Sequence, residues 1–326
     1  MAMGLLASAT TPFLPQDFAT LVNPLWAREL RARVVSVTPE AAGAATLVLK
    51  PARWGGHVPG QYVGIGVEIE GVIHWRTYSL TDPDRVAITV KALGLISSHL
   101  VKLRPGDVVR LRSPEGDFTW ADRGPALFLT AGSGITPAMG MLRAFRGRVP
   151  DITHVHVAPS RDEVIFGSEL RAVGHRFVEW HDDTDGLLTM DRLDDLVPDW
   201  RSRETWACGP AGLLAAIENH WGTRNLDHKL HVERFTPPAL GGGSEGTVTF
   251  VRGGAQKHTD QTLLTAGEDA GVLMPSGCRM GICFGCVIPL LSGQVRDVRT
   301  GAVHGEPGDL VQTCISTPAG DCSLDV

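Results

Sequence analysis

The chain of 326 residues is 43% hydrophobic and 20% charged, which supplies apolar matter for two or three ordinary cores and excludes a largely disordered protein. Thirty Lys and Arg against 36 Asp and Glu leave a formal net charge of -6, so a nucleic-acid partner is not expected. Six cysteines over this length are no disulfide framework, which fits a reducing compartment.

Residues 1–27 form an N-terminal extension in which Met1 to Ala9 lack a basic region and Pro12 and Pro15 interrupt any apolar core, so no targeting segment is read there. No apolar run approaches the roughly 18 residues of a transmembrane helix, and a cytoplasmic monomer is expected. Over residues 28–120, short Val-, Ile- and Thr-rich strands are expected at Leu30–Val37, Ala45–Leu49, Tyr62–Ile69, Val72–Leu80, Val86–Leu93 and Val108–Arg112. Turns such as Pro59-Gly60 and Pro105-Gly106 punctuate them, which predicts an antiparallel β-barrel. Over 121–235 the rhythm changes to strands at Ala126–Thr130, Ile152–Val157, Arg176–Trp180, Glu204–Ala207 and Lys229–Arg234 with helical text between, which predicts an α/β domain with a parallel sheet. Residues 236–246, rich in Pro and Gly, read as a linker, and a third domain occupies 247–326.

In the third domain Cys278, Cys283 and Cys286 are spaced C-x4-C-x2-C, with Cys314 after a further 27 residues. This is the ligand spacing of a plant-type [2Fe-2S] centre, with three thiolates from one loop and a fourth from a distant strand. Structural zinc is the alternative, but zinc sites usually pair two C-x2-C knuckles and only one is present. Cys322 reads as an ordinary semi-buried cysteine. The text Ser-Gly-Cys-Arg-Met-Gly-Ile-Cys-Phe-Gly-Cys resembles the cluster loop of plant-type ferredoxins, which implies an α+β (β-grasp) ferredoxin domain.

Arg76-Thr77-Tyr78-Ser79 at the end of a barrel strand offers a cation for a phosphate, a ring for stacking, and a hydroxyl within reach of a flavin ring nitrogen. Gly94-Leu-Ile96-Ser97 reads as a turn into a short helix suited to a pyrophosphate, which favours FAD over FMN. Gly132, Gly134, Thr136 and Pro137 lie in a glycine turn that follows a buried strand and opens a helix, where a nucleotide can approach the backbone. These stretches, in this order, together with Cys208-Gly209-Pro210, resemble the ferredoxin-NADP reductase superfamily. The resemblance implies that Ser97 contacts the FAD pyrophosphate and that Cys208 sits beside the nicotinamide, although a lone cysteine ending a strand is otherwise a core residue. Ser160 and Arg161 suit a ribose 2′-phosphate and so NADPH rather than NADH, the alternative being a solvated loop charge beside Asp162 and Glu163. His231-Val-Glu-Arg-Phe235 resembles the last strand of flavin reductases with a fused ferredoxin, in which the aromatic matching Phe235 covers the flavin; a plain core Phe competes.

A nicotinamide gives two electrons as hydride while a [2Fe-2S] cluster takes one at a time, and flavin converts between them. The chain is therefore read as an NAD(P)H-dependent electron-transfer enzyme, with Ser79 and Cys208 bordering the hydride-transfer space. The acceptor is expected to be a separate oxygenase or desaturase, and the likeness runs toward reductases serving membrane-bound acyl-CoA desaturases. A ring-hydroxylating dioxygenase or P450-type monooxygenase reductase shares every motif, and a flavin/iron-sulfur redox sensor is the reading of another class.

Overall fold

The computed structural model describes residues 29–41, 43–69, 72–121, 124–145, 151–235, 245–277, 279, 281 and 284–326. The chain forms two compact units, one holding residues up to Val67 with Thr77–Glu233, the other Glu68–Arg76 with Arg234–Val326. Among the described residues no helix is long and apolar enough to cross a membrane.

Strands β1 (Arg31–Pro39), β2 (Ala44–Pro51), β3 (Tyr62–Ile69), β4 (Val72–Ser79), β5 (Val86–Lys91) and β6 (Val108–Leu111) make a six-stranded sheet in the order β4-β3-β6-β1-β2-β5. The pairs β1–β2, β1–β6, β2–β5 and β3–β6 are antiparallel. An antiparallel bridge between Leu80 and Ile88 joins the end of β4 to β5, so the two edges of the sheet meet and few ladder groups are left to water. In β2 the inward residues Leu47 and Leu49 are buried while Thr46 and Val48 are half-buried and Lys50 is exposed, the period-2 signature of a sheet with one face on a core. A short helix, α1 (Leu95–Leu100), follows β5.

The same unit carries a parallel sheet, β11 (Leu230–Glu233), β10 (Glu204–Cys208), β7 (Ala126–Ala131), β8 (Ile152–Ala158) and β9 (Arg176–His181), in that spatial order. Helices α2 (Ile135–Ala144), α3 (Gly167–Arg171), α4 (Asp182–Asp185), α5 (Met190–Leu196) and α6 (Ala211–Gly222) connect the strands. Every residue of β7 and β8 is buried, as expected of central parallel strands covered on both faces. The chain leaves β7 toward β8 and β9, then returns to the other side of β7 for β10, so the direction of winding reverses between β7 and β10. In open α/β sheets that reversal opens a crevice beyond the carboxyl ends of the two strands.

Helix α2 ties this sheet to the barrel. A Cβ on Gly140 would lie 2.4 Å from the Leu80 carbonyl oxygen, so only glycine permits the helix to come that close. Three residues on, Arg143 donates to the Thr81 carbonyl at 2.7 Å and holds Glu169 through both carboxylate oxygens at 3.0 and 2.6 Å.

The second unit contains β12 (Gly246–Phe250), β13 (Ala255–Thr259), α7 (Leu263–Asp269), β14 (Val287–Ser292), β15 (Val295–Asp297), β16 (Val303–His304), β17 (Leu310–Gln312), β18 (Ser316–Pro318) and β19 (Cys322–Leu324). The larger sheet runs β13-β12-β19-β14-β17, with β12 and β19 parallel, and a smaller sheet runs β16-β15-β18. Leu263, Leu264 and Ala266 of α7 share one core with Val248, Phe250, Ile288 and Leu324 of the strands, the helix-on-sheet packing of a β-grasp ferredoxin domain.

Candidate functional site

At the crevice between β7 and β10 the two glycine-containing motifs meet. A Cβ on Gly134 would stand 2.2 Å from the carbonyl oxygen of Cys208 and 2.9 Å from the nitrogen of Gly209, so the turn after β7 rests directly on the backbone leaving β10. Gly132 adopts the left-handed conformation at φ +53, which starts the short 3-10 turn Gly132–Gly134 ahead of α2. Thr136 is buried and its hydroxyl donates to the Ser133 carbonyl at 2.9 Å, so it shapes the turn. Pro137 stands in the first turn of α2, where its missing N–H costs nothing. Gly209 and Pro210 follow β10, with Pro210 capping α6 in extended conformation. This bare backbone edge is a cradle that a Cβ would fill, and it fits a nucleotide.

Cys208 is 1% exposed, and burial first, then the neighbouring Glu233, pushes its thiol well above the ordinary cysteine range. Glu233 stands opposite it in the β10–β11 register. Burial and then Asp117 raise the Glu233 carboxyl to about 7. The sequence assigns Glu233 no role, because its place beside Cys208 arises only when β11 pairs with β10. After β8, the neighbour of β7 on the side away from β10, Ser160 is half-buried and precedes the turn Arg161–Glu163, and Arg161 is exposed. Arg171, paired to Glu179 at 2.6 and 2.8 Å, approaches the Arg161 carbonyl at 3.5 Å.

Also beyond the reach of sequence reasoning is a polar cluster in the middle of the sheet. The hydroxyl of Thr130 bonds His154 Nε2 and His156 Nδ1, each at 2.8 Å. Both rings are fully buried, and burial holds His154 well below, and His156 down at about 4 against, the ordinary imidazole value. They are neutral core residues.

On the barrel, Thr77 and Tyr78 are half-buried at the end of β4 and Ser79 is 5% exposed. Gly60, at φ +100, packs so tightly that a Cβ would lie 2.0 Å from the Phe118 carbonyl, which fixes the turn before β3. Gly94 is extended and precedes α1, and Ile96 is buried beneath it. Ser97 Oγ accepts the N–H groups of Leu93 at 3.0 Å and Gly94 at 2.9 Å, closing the turn. A stacking ring, a hydroxyl and a closed turn on one barrel fit a flavin nucleotide.

In the second unit, Arg76 Nη1 donates to the Gly277 carbonyl at 2.9 Å. Phe235, just beyond β11, is 41% exposed. Of the four ligand candidates, Cys278 and Cys283 lie outside the described residues. Cys286 and Cys314 are buried, at 1% and 5% exposure. The β14–β17 pairing sets Val287 against Gln312, and Thr313 donates its N–H and hydroxyl to the Cys286 carbonyl at 3.2 and 2.8 Å, which draws the two cysteine-bearing segments to one corner. Gly281 (φ +74) tolerates no Cβ against Ile315, and Gln312 donates to its carbonyl at 3.0 Å, so the loop is held down on that corner. Cysteines brought together from two segments, Cys286 from one and Cys314 from the other, suit an iron-sulfur cluster. Cys322 lies apart in β19, 4% exposed and thus more deeply buried than the sequence suggests, with its thiol pushed up to about 11 by burial and Asp321.

Residues 43–120 match the oxidoreductase FAD-binding domain family, and residues 254–319 match the 2Fe-2S iron-sulfur cluster binding domain family. The chain is 47% identical over 349 aligned positions to an NADPH oxidoreductase of Mycobacterium tuberculosis, covering 98% of this chain and 90% of that protein. It is 28% identical to the stachydrine N-demethylase reductase subunit of Rhizobium meliloti, over 89% of this chain and 95% of that one. Among solved structures, phthalate dioxygenase reductase superposes with a TM-score of 0.62 at 23% identity, covering 92% of this chain and 98% of that one, which is a likeness of fold.

Proposed function

The chain belongs to the ferredoxin-NADP reductase family of flavin enzymes that carry a C-terminal [2Fe-2S] ferredoxin domain, and on that footing we propose that it is the NADPH-dependent reductase component of an oxygenase system. It is an NAD(P)H-dependent flavin and iron-sulfur oxidoreductase, using FAD and a [2Fe-2S] cluster.

The observation that carries the reading is the seating of the Gly134 turn on Cys208–Gly209, which makes one backbone edge at the winding reversal of the parallel sheet. On this reading Gly132, Gly134, Thr136 and Pro137 hold the nucleotide's phosphates, and Ser160 and Arg161 the ribose 2′-phosphate. Cys208, Gly209 and Pro210 line the nicotinamide end. Thr77, Tyr78, Ser79, Gly94, Ile96 and Ser97 serve the flavin, Arg76 adds a cation, and Phe235 covers the ring. Bound flavin supplies the conversion of a hydride pair into single electrons; the protein orients the nicotinamide and excludes water from it. Cys278, Cys283, Cys286 and Cys314 hold the cluster, from which electrons leave for a separate protein.

The expectation of a membrane-bound acyl-CoA desaturase as that protein gives way to an oxygenase, because relatives similar over nearly their whole length are reductase subunits of a demethylase and of monooxygenases. NADPH as donor follows the Mycobacterium tuberculosis relative, 47% identical to this chain, and the Ser160–Arg161 pair. The test is reconstitution: the purified protein, NADPH and a panel of terminal oxygenase and desaturase components, scored by product formation. Turnover with an oxygenase supports the proposal, and turnover confined to a desaturase overturns it.

A further inference from the structure

Arg76 stands immediately before the flavin-side residues Thr77-Tyr78-Ser79, yet its guanidinium is spent elsewhere in part. Its Nη1 donates at 2.9 Å to the carbonyl of Gly277, which is 201 positions away and immediately precedes Cys278. Both residues lie in the second unit, because the arm Glu68–Arg76 groups with the ferredoxin fold. His74, on the same face of β4 as Arg76 by strand alternation, has its imidazole value lowered by burial first, and lies within electrostatic range of Glu268, Arg279 and Arg76. Arg279 in turn is ion-paired with Glu268 of α7. Gly277 immediately precedes Cys278 in the sequence, so Arg76 holds the carbonyl of the residue before one expected cluster ligand.

We propose that Arg76 is a positioning residue for the [2Fe-2S] cluster, orienting the peptide before Cys278 and setting a positive charge near the thiolates so that the cluster is easier to reduce. The inference rests on the reading that the four cysteines hold such a cluster. Its physical basis is that reduction adds one negative charge to an already anionic centre, which a nearby cation and a fixed hydrogen-bonded peptide stabilise. A guanidinium with five donors in a rigid fork can serve both a carbonyl and a phosphate, so the role is compatible with a flavin contact.

The experiment is an EPR-monitored reductive titration of the cluster in the full-length, iron-loaded protein, comparing wild type, Arg76→Gln and Arg76→Lys. Flavin-stripped wild type is titrated alongside, so that any loss of FAD from a variant is matched by a control. Arg76→Gln should shift the one-electron equilibrium about tenfold toward the oxidised cluster, which corresponds to about 59 mV. Arg76→Lys, keeping the charge without the fork, should shift it in the same direction by less. A glutamine variant titrating with the flavin-matched wild type overturns the proposal. Should that variant fail to fold, a lysine variant with wild-type potential and g-values overturns it equally. Wild type lacking a plant-type cluster signal would instead bring down the functional reading itself.

Discussion

Glu233 is the residue on which the pH behaviour of the crevice turns. Its carboxyl is raised to about 7 by burial and by Asp117, so between pH 4.5 and about 7 the unfolded chain gives up a proton that the folded chain keeps. The stability it contributes is therefore complete at low pH and is lost as pH rises through that window. Glu233→Gln cannot ionise, and thermal melts of the purified protein should show the variant gaining on wild type above pH about 7 and not at pH about 4.5. Parallel melting curves across the range would refute the raised carboxyl. Arg161 is exposed, and the proposed 2′-phosphate role makes it the test of nucleotide choice. On that proposal Arg161→Ala should remove a charge-assisted contact that only NADPH can make, costing about 1.5 to 3 kcal/mol, roughly 10- to 150-fold in affinity. Titration of both nucleotides should find NADH binding almost unchanged; equal losses would remove Arg161 from the 2′-phosphate site. The two differ in how far the sequence foretells them: Arg161 is picked out by its place after the second strand of the nucleotide domain, whereas the Glu233 shift arises from what surrounds it.

At the scale of elements, helix α2 and helix α6 make opposite predictions for the same substitution. Glycine inside a helix normally costs roughly 0.5 to 1 kcal/mol against alanine. Gly212 in α6 has nothing within 4 Å of a built Cβ, so Gly212→Ala should stabilise by up to about that amount. Gly140 in α2 faces the Leu80 carbonyl at 2.4 Å, so Gly140→Ala should push the helix off the barrel and cost about 1 to 3 kcal/mol. Urea midpoints of the two variants should move in opposite directions, and a stabilised Gly140→Ala would show that the helix is not seated on the barrel. The strands themselves were legible: those expected around Tyr62–Ile69, Ala126–Thr130 and Glu204–Ala207 form within a residue or so, because Val, Ile and Thr runs between Gly and Pro turns have few other ways to be buried. The buried Thr130, His154 and His156 cluster was not legible, since a strand written Thr-His-Val-His reads as amphipathic until both faces are covered.

For the whole molecule, the ferredoxin domain is expected to be the electron exit. Cys314→Ser should abolish the EPR signal of the cluster and the reduction of the oxygenase partner while leaving NADPH-dependent ferricyanide reduction largely intact; a variant that still drives the partner at the wild-type rate would remove the cluster from the route. Residues 247–326 carry five Lys and Arg against eight Asp and Glu, so reduction of a basic partner should slow as salt is added. A point substitution serves this test better than truncation at Phe235, because Glu68–Arg76 packs as part of the second unit and would lose its cover. Composition, strand rhythm and cysteine spacing were enough to determine three kinds of fold in one chain and the chemistry of its carriers, since these depend on local periodicity and on ligand types written consecutively. Only the tertiary structure decided that the Gly134 turn rests on Cys208, that Glu233 is raised beside it, and that Arg76 reaches Gly277. Those facts depend on close approach between segments tens to hundreds of residues apart, where packing rather than local pattern sets the distance.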